Sequence, residues 1–234
     1  PKSDYAIRGK VLGDLTVGVE TSVITKLEEE AVAGNWVGYV VPANGWRDIT
    51  YGNGKYVAIA DGGTASNQVM YSSDGINWTL ATSASVSSWA TVTFGAGKFV
   101  ALGATNIAMY STDGINWTSG SGYVGSGTSV VYGLADDRFV ATSGTSGLAY
   151  SYDGIAWNNV SDSSQSQWRG ITYGNGTFVA ITESGQYQAA YSTDGVNWTF
   201  VDSAPTNNWY NVAYGDGRFV AVSNGDSTGG GASM

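Results

Sequence analysis

One eight-residue segment, written four times in phase, constrains this chain more than any other feature. Tyr71-Ser72-Ser73-Asp74-Gly75-Ile76-Asn77-Trp78 returns at residues 110–117, 150–157 and 191–198, with 39, 40 and 41 residues between successive tyrosines. A second signature lies between the copies: a Trp, an alternating run ending in aromatic-Gly, then Gly and an aromatic-Val-Ala triplet. It spans residues 46–58, 89–101, 168–180 and 209–221. A variant at 130–141 has Gly127 where the Trp belongs and two extra residues in its Gly loop. All nine Trp occupy one of two repeat positions. A period near 40 residues means a supersecondary unit that stacks on its neighbours to bury its faces.

Each repeat reads as four short strands. In the first, Trp46 to Gly52 alternates and then turns at Asn53-Gly54, an Asn-Gly hairpin signal. Lys55 to Ala60 follows, and its Tyr56-Val57-Ala58-Ile59 is apolar enough for burial on both faces. Gln68 to Ser72 is the third strand and Asn77 to Ala81 the fourth, joined across Asp74-Gly75. Four antiparallel strands per repeat predict the blade of a β-propeller. Composition agrees: 34 Gly and 30 aromatics (9 Trp, 15 Tyr, 6 Phe) stand beside only 3 Pro. That is the makeup of short strands and tight turns.

The Tyr-Ser-x-Asp-Gly-x-x-Trp segment resembles the Asp-box, or BNR repeat, of sialidases and many other propellers. It departs by one residue, because Gly directly follows Asp where the usual pattern has a residue between them. The resemblance covers residues 34–234 and implies a structural turn between a blade's outer strands. The residues fit that reading: Asp accepts hydrogen bonds from turn N–H groups, Gly permits positive φ, and Trp packs on the hairpin. Asp74, Asp113, Asp153 and Asp194, with Trp78, Trp117, Trp157 and Trp198, are therefore read as structural. No metal is expected there, since each box offers one carboxylate and calcium takes roughly six to eight oxygens.

The two ends are out of phase in a complementary way. Met70 and Met109 sit just before Tyr71 and Tyr110, and Met234 closes the sequence at the equivalent point, without the box. Asn35-Trp36 precedes Trp46 by about the spacing that separates Asn77-Trp78 from Trp89. The expectation is an all-β, five-bladed propeller over 34–234, closed by an N-terminal strand around Trp36 to Val41, its fifth blade lacking an intact box. A longer chain with six or more blades is the alternative. Residues 1–33 do not repeat and form a separate arm, which either packs on the propeller or docks the chain to a partner.

Chemistry is bounded by what is missing. The chain has no Cys and no His, so disulfides, thiolate metal sites and the commonest general base are excluded. A net charge of −9 argues against nucleic acid and anionic membranes as partners. No apolar run approaches the ~20 residues of a membrane-spanning helix. Sialidases need an arginine cluster, a Tyr nucleophile with a Glu partner and an acid/base. Here Arg138 and Arg218 take the places of Lys55 and Lys98 at a strand start, and the Phe/Tyr-Arg-Ile-Pro motif is absent. Five-bladed glycosidases place carboxylates on inner strands, but beyond residue 33 the only Glu is Glu183 and the only inner-strand Asp is Asp48. Glycoside hydrolysis needs two carboxyls across a sugar, and no pair presents itself. The chain is expected to be non-enzymatic and to need no cofactor.

Binding remains. Trp46, Trp89, Trp168 and Trp209 begin the inner strands, where they either wedge between blades or form stacking platforms for sugar rings. Arg47, Asp48, Arg169 and Asn211 would flank such platforms, since sugar sites join an aromatic face to orienting hydrogen bonds. Asn77-Trp78-Thr79, Asn116-Trp117-Thr118 and Asn197-Trp198-Thr199 match glycosylation acceptors, but read as copies of one β-turn. Acidic, Cys-free, Ser/Thr/Asn/Gly-rich propeller repeats resemble those of bacteriophage tail, fibre and capsid-decoration proteins and of bacterial surface proteins. The resemblance implies a structural attachment role on a virion or cell surface. It would bind host receptors or glycans through the propeller and other virion or surface proteins through residues 1–33. A free multivalent lectin is the alternative, and a sialidase-like or five-bladed glycosidase a more distant one.

Overall fold

Tight two-residue turns build the innermost hairpin of nearly every repeat. Asn53-Gly54, Ala96-Gly97, Asn175-Gly176 and Asp216-Gly217 all place both central residues at φ between 47° and 75°. That is the doubly left-handed turn whose twist matches antiparallel strands, and Asn, Asp and Gly suit it. The computed structural model describes residues 38–224, apart from 123, 124, 136, 164, 165, 202, 203 and 205.

The chain divides into compact units at Val41/Pro42, and every described strand lies in the second. The first sheet runs in order through β1 (Trp46–Gly52), β2 (Lys55–Ala60), β3 (Val69–Ser72) and β4 (Thr79–Ala81). The second holds β5 (Trp89–Gly95), β6 (Lys98–Gly103), β7 (Ala108–Ser111) and β8 (Thr118–Ser119). β9 (Gly127–Gly133), β10 (Arg138–Ser143), β11 (Gly147–Ser151) and β12 (Asn158–Asn159) make the third. β13 (Ser166–Gly174), β14 (Thr177–Gly185), β15 (Ala189–Ser192) and β16 (Thr199–Val201) make the fourth. A fifth sheet pairs β17 (Trp209–Gly215) with β18 (Arg218–Ser223). All pairings between the described strands are antiparallel, and β1, β5, β9, β13 and β17 pack side by side in that order.

Two expectations need correction. Among the described residues the fifth sheet has two strands, not four. Of the expected closing segment, Trp36 lies outside the described residues, as do 1–35, 37 and 225–234. Residues 38–41 join no strand, and Val40 is fully exposed. The described residues thus form four sheets of four strands and one of two, and the expected closing strand and the outer strands of the fifth blade fall largely outside them.

Blades stack through one repeated contact. Each inner hairpin carries an aromatic pair: Tyr51–Tyr56, Phe94–Phe99, Tyr132–Phe139, Tyr173–Phe178 and Tyr214–Phe219, with centroids 4.6–4.9 Å apart. The glycine ending the inner strand of the preceding blade provides the seat. A methyl on Gly52 would strike Phe94, one on Gly95 Tyr132, one on Gly133 Phe178 and one on Gly174 Tyr214. Behind these seats lie the buried aliphatics of the second strands: Val57 and Ile59, Val100 and Leu102, Val140, Ile181.

Ser-x-Asp-Gly turns join the third strands to the fourth. In the first, the Ser72 hydroxyl accepts the N–H groups of Asp74 (3.2 Å) and Gly75 (2.9 Å) and lies 2.9 Å from Asp74 Oδ1. Asp74 Oδ1 accepts the N–H groups of Ile76 and Asn77, each at 2.8 Å, and Oδ2 accepts the Asn77 side-chain amide at 2.8 Å. Asp113, Asp153 and Asp194 repeat the backbone pattern, with Asn116 and Asn197 adding their amides. Indole N–H groups of Trp78, Trp117 and Trp198 donate to the carbonyls of Gly75, Gly114 and Gly195. The amide nitrogens of Asn77, Asn116 and Asn197 thus serve the turn. The Asn77 N–H, its side-chain amide, the Ile76 N–H and the Ser72 hydroxyl hold the Asp74 carboxyl well below its usual range. At Asp113, burial pushes the other way and is outweighed by the Asn116 and Ile115 donors and Ser111.

Two measurements check this architecture. Gly95→Ala should drive Tyr132 off its seat and cost about 1–3 kcal/mol in denaturant unfolding. Gly215→Ala meets none of the described atoms within 4 Å and, measured on dilute monomer, should leave the midpoint unchanged; equal losses at both sites contradict the packing. For the turns, a depressed carboxyl pKa stabilises the fold above the unfolded-state value, about 4, and that contribution fades as pH falls through the lower folded value. Asp113→Asn should therefore cost about 1 kcal/mol at neutral pH, after allowance for solvent screening. Its melting temperature should also fall less steeply than the wild type's below pH about 4; parallel profiles would show that the charge does not matter.

Candidate functional site

A backbone irregularity at one end of every inner strand creates the site. Pairing with the second strand skips one residue between Trp46 and Asp48, Trp89 and Thr91, Trp168 and Gly170, and Trp209 and Asn211. In the third blade, Gly127 opposes Ser143 and Ser129 opposes Thr142, so the same position is skipped. Such bulges re-aim side chains and sharpen the local twist. The skipped residue and the one after it face a common space in all five blades: Arg47 and Asp48, Ala90 and Thr91, Thr128 and Ser129, Arg169 and Gly170, Tyr210 and Asn211. The cavity they line has a volume of about 480 Å³, with Ala104, Ser126 and Gly127 completing its wall.

Its polar groups differ in how far they are committed. Asp48 is spent on the fold: Oδ2 accepts the Val92 N–H at 2.8 Å and the Thr91 hydroxyl at 3.1 Å, while Oδ1 accepts the Ile49 N–H at 2.8 Å. That carboxylate ties the first blade to the second. The Thr128 hydroxyl lies 2.8 Å from that of Thr142 and 2.9 Å from the Trp168 carbonyl, linking the third blade to the fourth. Asn211 Oδ1 accepts the Val212 N–H at 2.9 Å. Arg47 pairs with Asp61 at 3.2 Å and Arg169 with Glu183 at 3.4 Å. Both pairs are solvated and weak, so the guanidinium groups can turn to a ligand at small cost. The Arg169 guanidinium carbon lies 4.7 Å from the centroid of Tyr210, whose side chain is 48% exposed.

All four flanking residues picked out by the repeat analysis, Arg47, Asp48, Arg169 and Asn211, therefore meet at one cavity. Trp89, Trp168 and Trp209 do not join them as platforms. Trp89 and Trp168 are 0% exposed and Trp209 1%, so no face is open to a sugar ring. Trp46 is partly buried and its indole N–H donates to the Pro42 carbonyl at 2.8 Å, while that of Trp168 donates to Ser163 at 2.7 Å. Trp89, Trp168 and Trp209 wedge the blades, because a large apolar ring gains more from burial than from display. The exposed aromatic is Tyr210, which the repeat analysis missed. A signal for it existed: the residue after the repeat Trp changes from blade to blade (Arg47, Ala90, Arg169, Tyr210) while the Trp before it stays. The four box aspartates and Trp78, Trp117, Trp157 and Trp198 lie in the turns, apart from this lining.

No protein-family model matches the chain, and no curated protein matches it in sequence. Its architecture is nonetheless shared with many solved structures. YCF48 from Cyanidioschyzon merolae aligns with a TM-score of 0.58 at 14% identity over 80% of this chain and 66% of its own. A YCF48 bound to D1 peptide aligns at 0.57 and 16%, over the same shares. The chain thus spans just under two-thirds of the YCF48 structures it matches. A structure in the nidogen/laminin complex aligns at 0.59 and 10% identity, over 78% and 73% of the two chains. XC5397 from Xanthomonas campestris, a gluconolactonase, aligns at 0.56 and 10%, over 77% and 70%. These neighbours are β-propellers. At such identities the likeness concerns the fold alone, and the fold of this chain is that of a β-propeller.

Proposed function

We propose that the chain is a non-enzymatic binding module whose axial cavity takes a hydroxylated ligand, a surface glycan, in the service of attachment on a virion or cell surface. One observation carries the reading. Five bulged strands deliver variable side chains to a single cavity, where the half-exposed ring of Tyr210 stands beside Arg169, with Arg47 and Asn211 on the same lining. A ring face with nearby donors is the combination that orients a sugar. The non-enzymatic part rests on Asp48, whose carboxylate is occupied by backbone and hydroxyl donors, and on Glu183, paired with Arg169. Neither stands ready as the second carboxyl of a hydrolytic pair. Attachment on a virion or surface follows the sequence resemblance, with residues 1–33 as the docking arm.

Binding of the whole chain to a broad glycan panel tests the proposal. A binding glycan should lose at least about tenfold in affinity to Tyr210→Ala or Arg169→Ala, the scale of a hot-spot truncation, with the circular dichroism unchanged. Silence across the panel, or binding indifferent to both variants, would sink the glycan reading. Release of reducing sugar from any bound glycan would sink the non-enzymatic one.

A further inference from the structure

The contact that joins neighbouring blades is left half-made at both ends of the series. On the leading face, the first blade shows an aromatic knob with none of the described residues in front of it. Tyr51 is 58% exposed and Tyr56 38%, whereas Phe99, Phe139 and Phe178, at the place of Tyr56, are fully buried. Ile49, two residues before Tyr51 on the same side of its strand, is 53% exposed, while its counterparts Val92, Val130, Ile171 and Val212 are 5–8% exposed.

On the trailing face, the fifth blade shows the matching seat. Gly215 occupies the position of Gly52, Gly95, Gly133 and Gly174, yet a methyl there would meet nothing within 4 Å. Val220 and Val222 are about half exposed, at 49% and 50%, where Val57, Val100 and Val140, and Ile59, Leu102 and Ile181, are sealed at 0%. The turn glycines tell the same story. A methyl on Gly114 would press on Val57, one on Gly154 on Val100 and one on Gly195 on Val140, but Gly75 of the first blade meets only its own Tyr56. Among the described residues Val179 and Val220 are the second-strand valines that no turn glycine meets, and Val220 is the one on the last blade.

We propose that these faces dock onto each other between two copies of the chain, head to tail. Tyr51 of one copy enters the Gly215 seat of the next, Ile49 covers Val220 and Val222, and the Gly75 turn lies on Val220. The partner's chemistry is written in the molecule: four internal interfaces already use this knob, this seat and these valines. Among the described residues the two faces stay apart, since Tyr51 is 58% exposed and no described atom lies within 4 Å of a methyl at Gly215. A second copy supplies each face with its complement. The contact is heterologous, so every docked copy offers a fresh knob and a fresh seat, and assembly proceeds past the dimer to a ring or a filament. Any ligand bound at the axial cavities would then be met by several of them at once, with the gain in avidity that linkage brings.

Sedimentation of the whole chain tests this, using two variants that each spoil one face. Tyr51→Asp removes the knob and Gly215→Val fills the seat, and neither disturbs a buried contact. The wild type should form concentration-dependent assemblies in multiples of its 24.3 kDa mass. Either variant alone should sediment as a monomer. Mixed in equal amounts, they should give dimers and nothing larger, because one sound knob meets one sound seat; that outcome also shows both variants folded. A wild type that stays monomeric at the highest attainable concentration overturns the proposal, as does a mixture that stays monomeric. Assemblies that persist in either single variant overturn it too.

Discussion

A glycine without a side chain, facing a neighbour's aromatic ring, is the contact from which the rest of this molecule follows. A blade is a twisted sheet with two apolar faces, and it is stable only if both are covered. The inner-strand glycine lets the next blade's ring come against the backbone itself, and the pitch of the stack is set by that approach. Any added methyl would push the blades apart and open the valine layer behind. Because four successive junctions use one contact, the curvature it generates is repeated, and five inner strands end up facing one cavity.

The cavity is a by-product of that curvature. Bulges at the strand ends lift one residue per blade out of the hydrogen-bonded register, freeing it from packing duty. Where a Trp precedes it, the lifted position is free to vary, and it does: Arg47, Ala90, Arg169, Tyr210. Asp48 and Thr128 do the opposite. Their polar atoms stitch one blade to the next, which fixes the mouth while leaving Arg47, Arg169 and Tyr210 available. Rigid frame and variable rim are thus adjacent residues in the same strand. The solved propellers that share this fold bind a peptide in one case and form a protein complex in another, which shows how little the frame dictates its ligand.

Much of this was legible in the chain itself. The repeat near 40 residues, the Asn-Gly turn and the Asp-Gly turn are local signals, because a two-residue hairpin or a side chain bonding to its own turn needs nothing from distant residues. The strand pattern, the structural part played by Asp74 and its three copies, and the residues Arg47, Asp48, Arg169 and Asn211 follow from that local grammar. The side on which each Trp shows its ring was not legible. An aromatic that recurs once per blade is equally consistent with a wedge and with a platform, and only the packing of Trp89, Trp168 and Trp209 between sheets separates the two.

What the sequence determined by itself is therefore the repeating unit: four antiparallel strands, their turns and the chemistry absent from them. What only the tertiary structure decided is how the units meet. Burial of Trp89, exposure of Tyr210 and the unfilled seat at Gly215 each depend on which blade stands next, and residues some 40 positions apart supply the neighbouring surface. Gly95 and Gly215 belong to the same repeat position, but one carries Tyr132 against it and the other none of the described residues. A periodic sequence specifies each blade alike. Position in the series makes the first and fifth described blades different, because among the described residues only their outer faces lack a neighbouring blade.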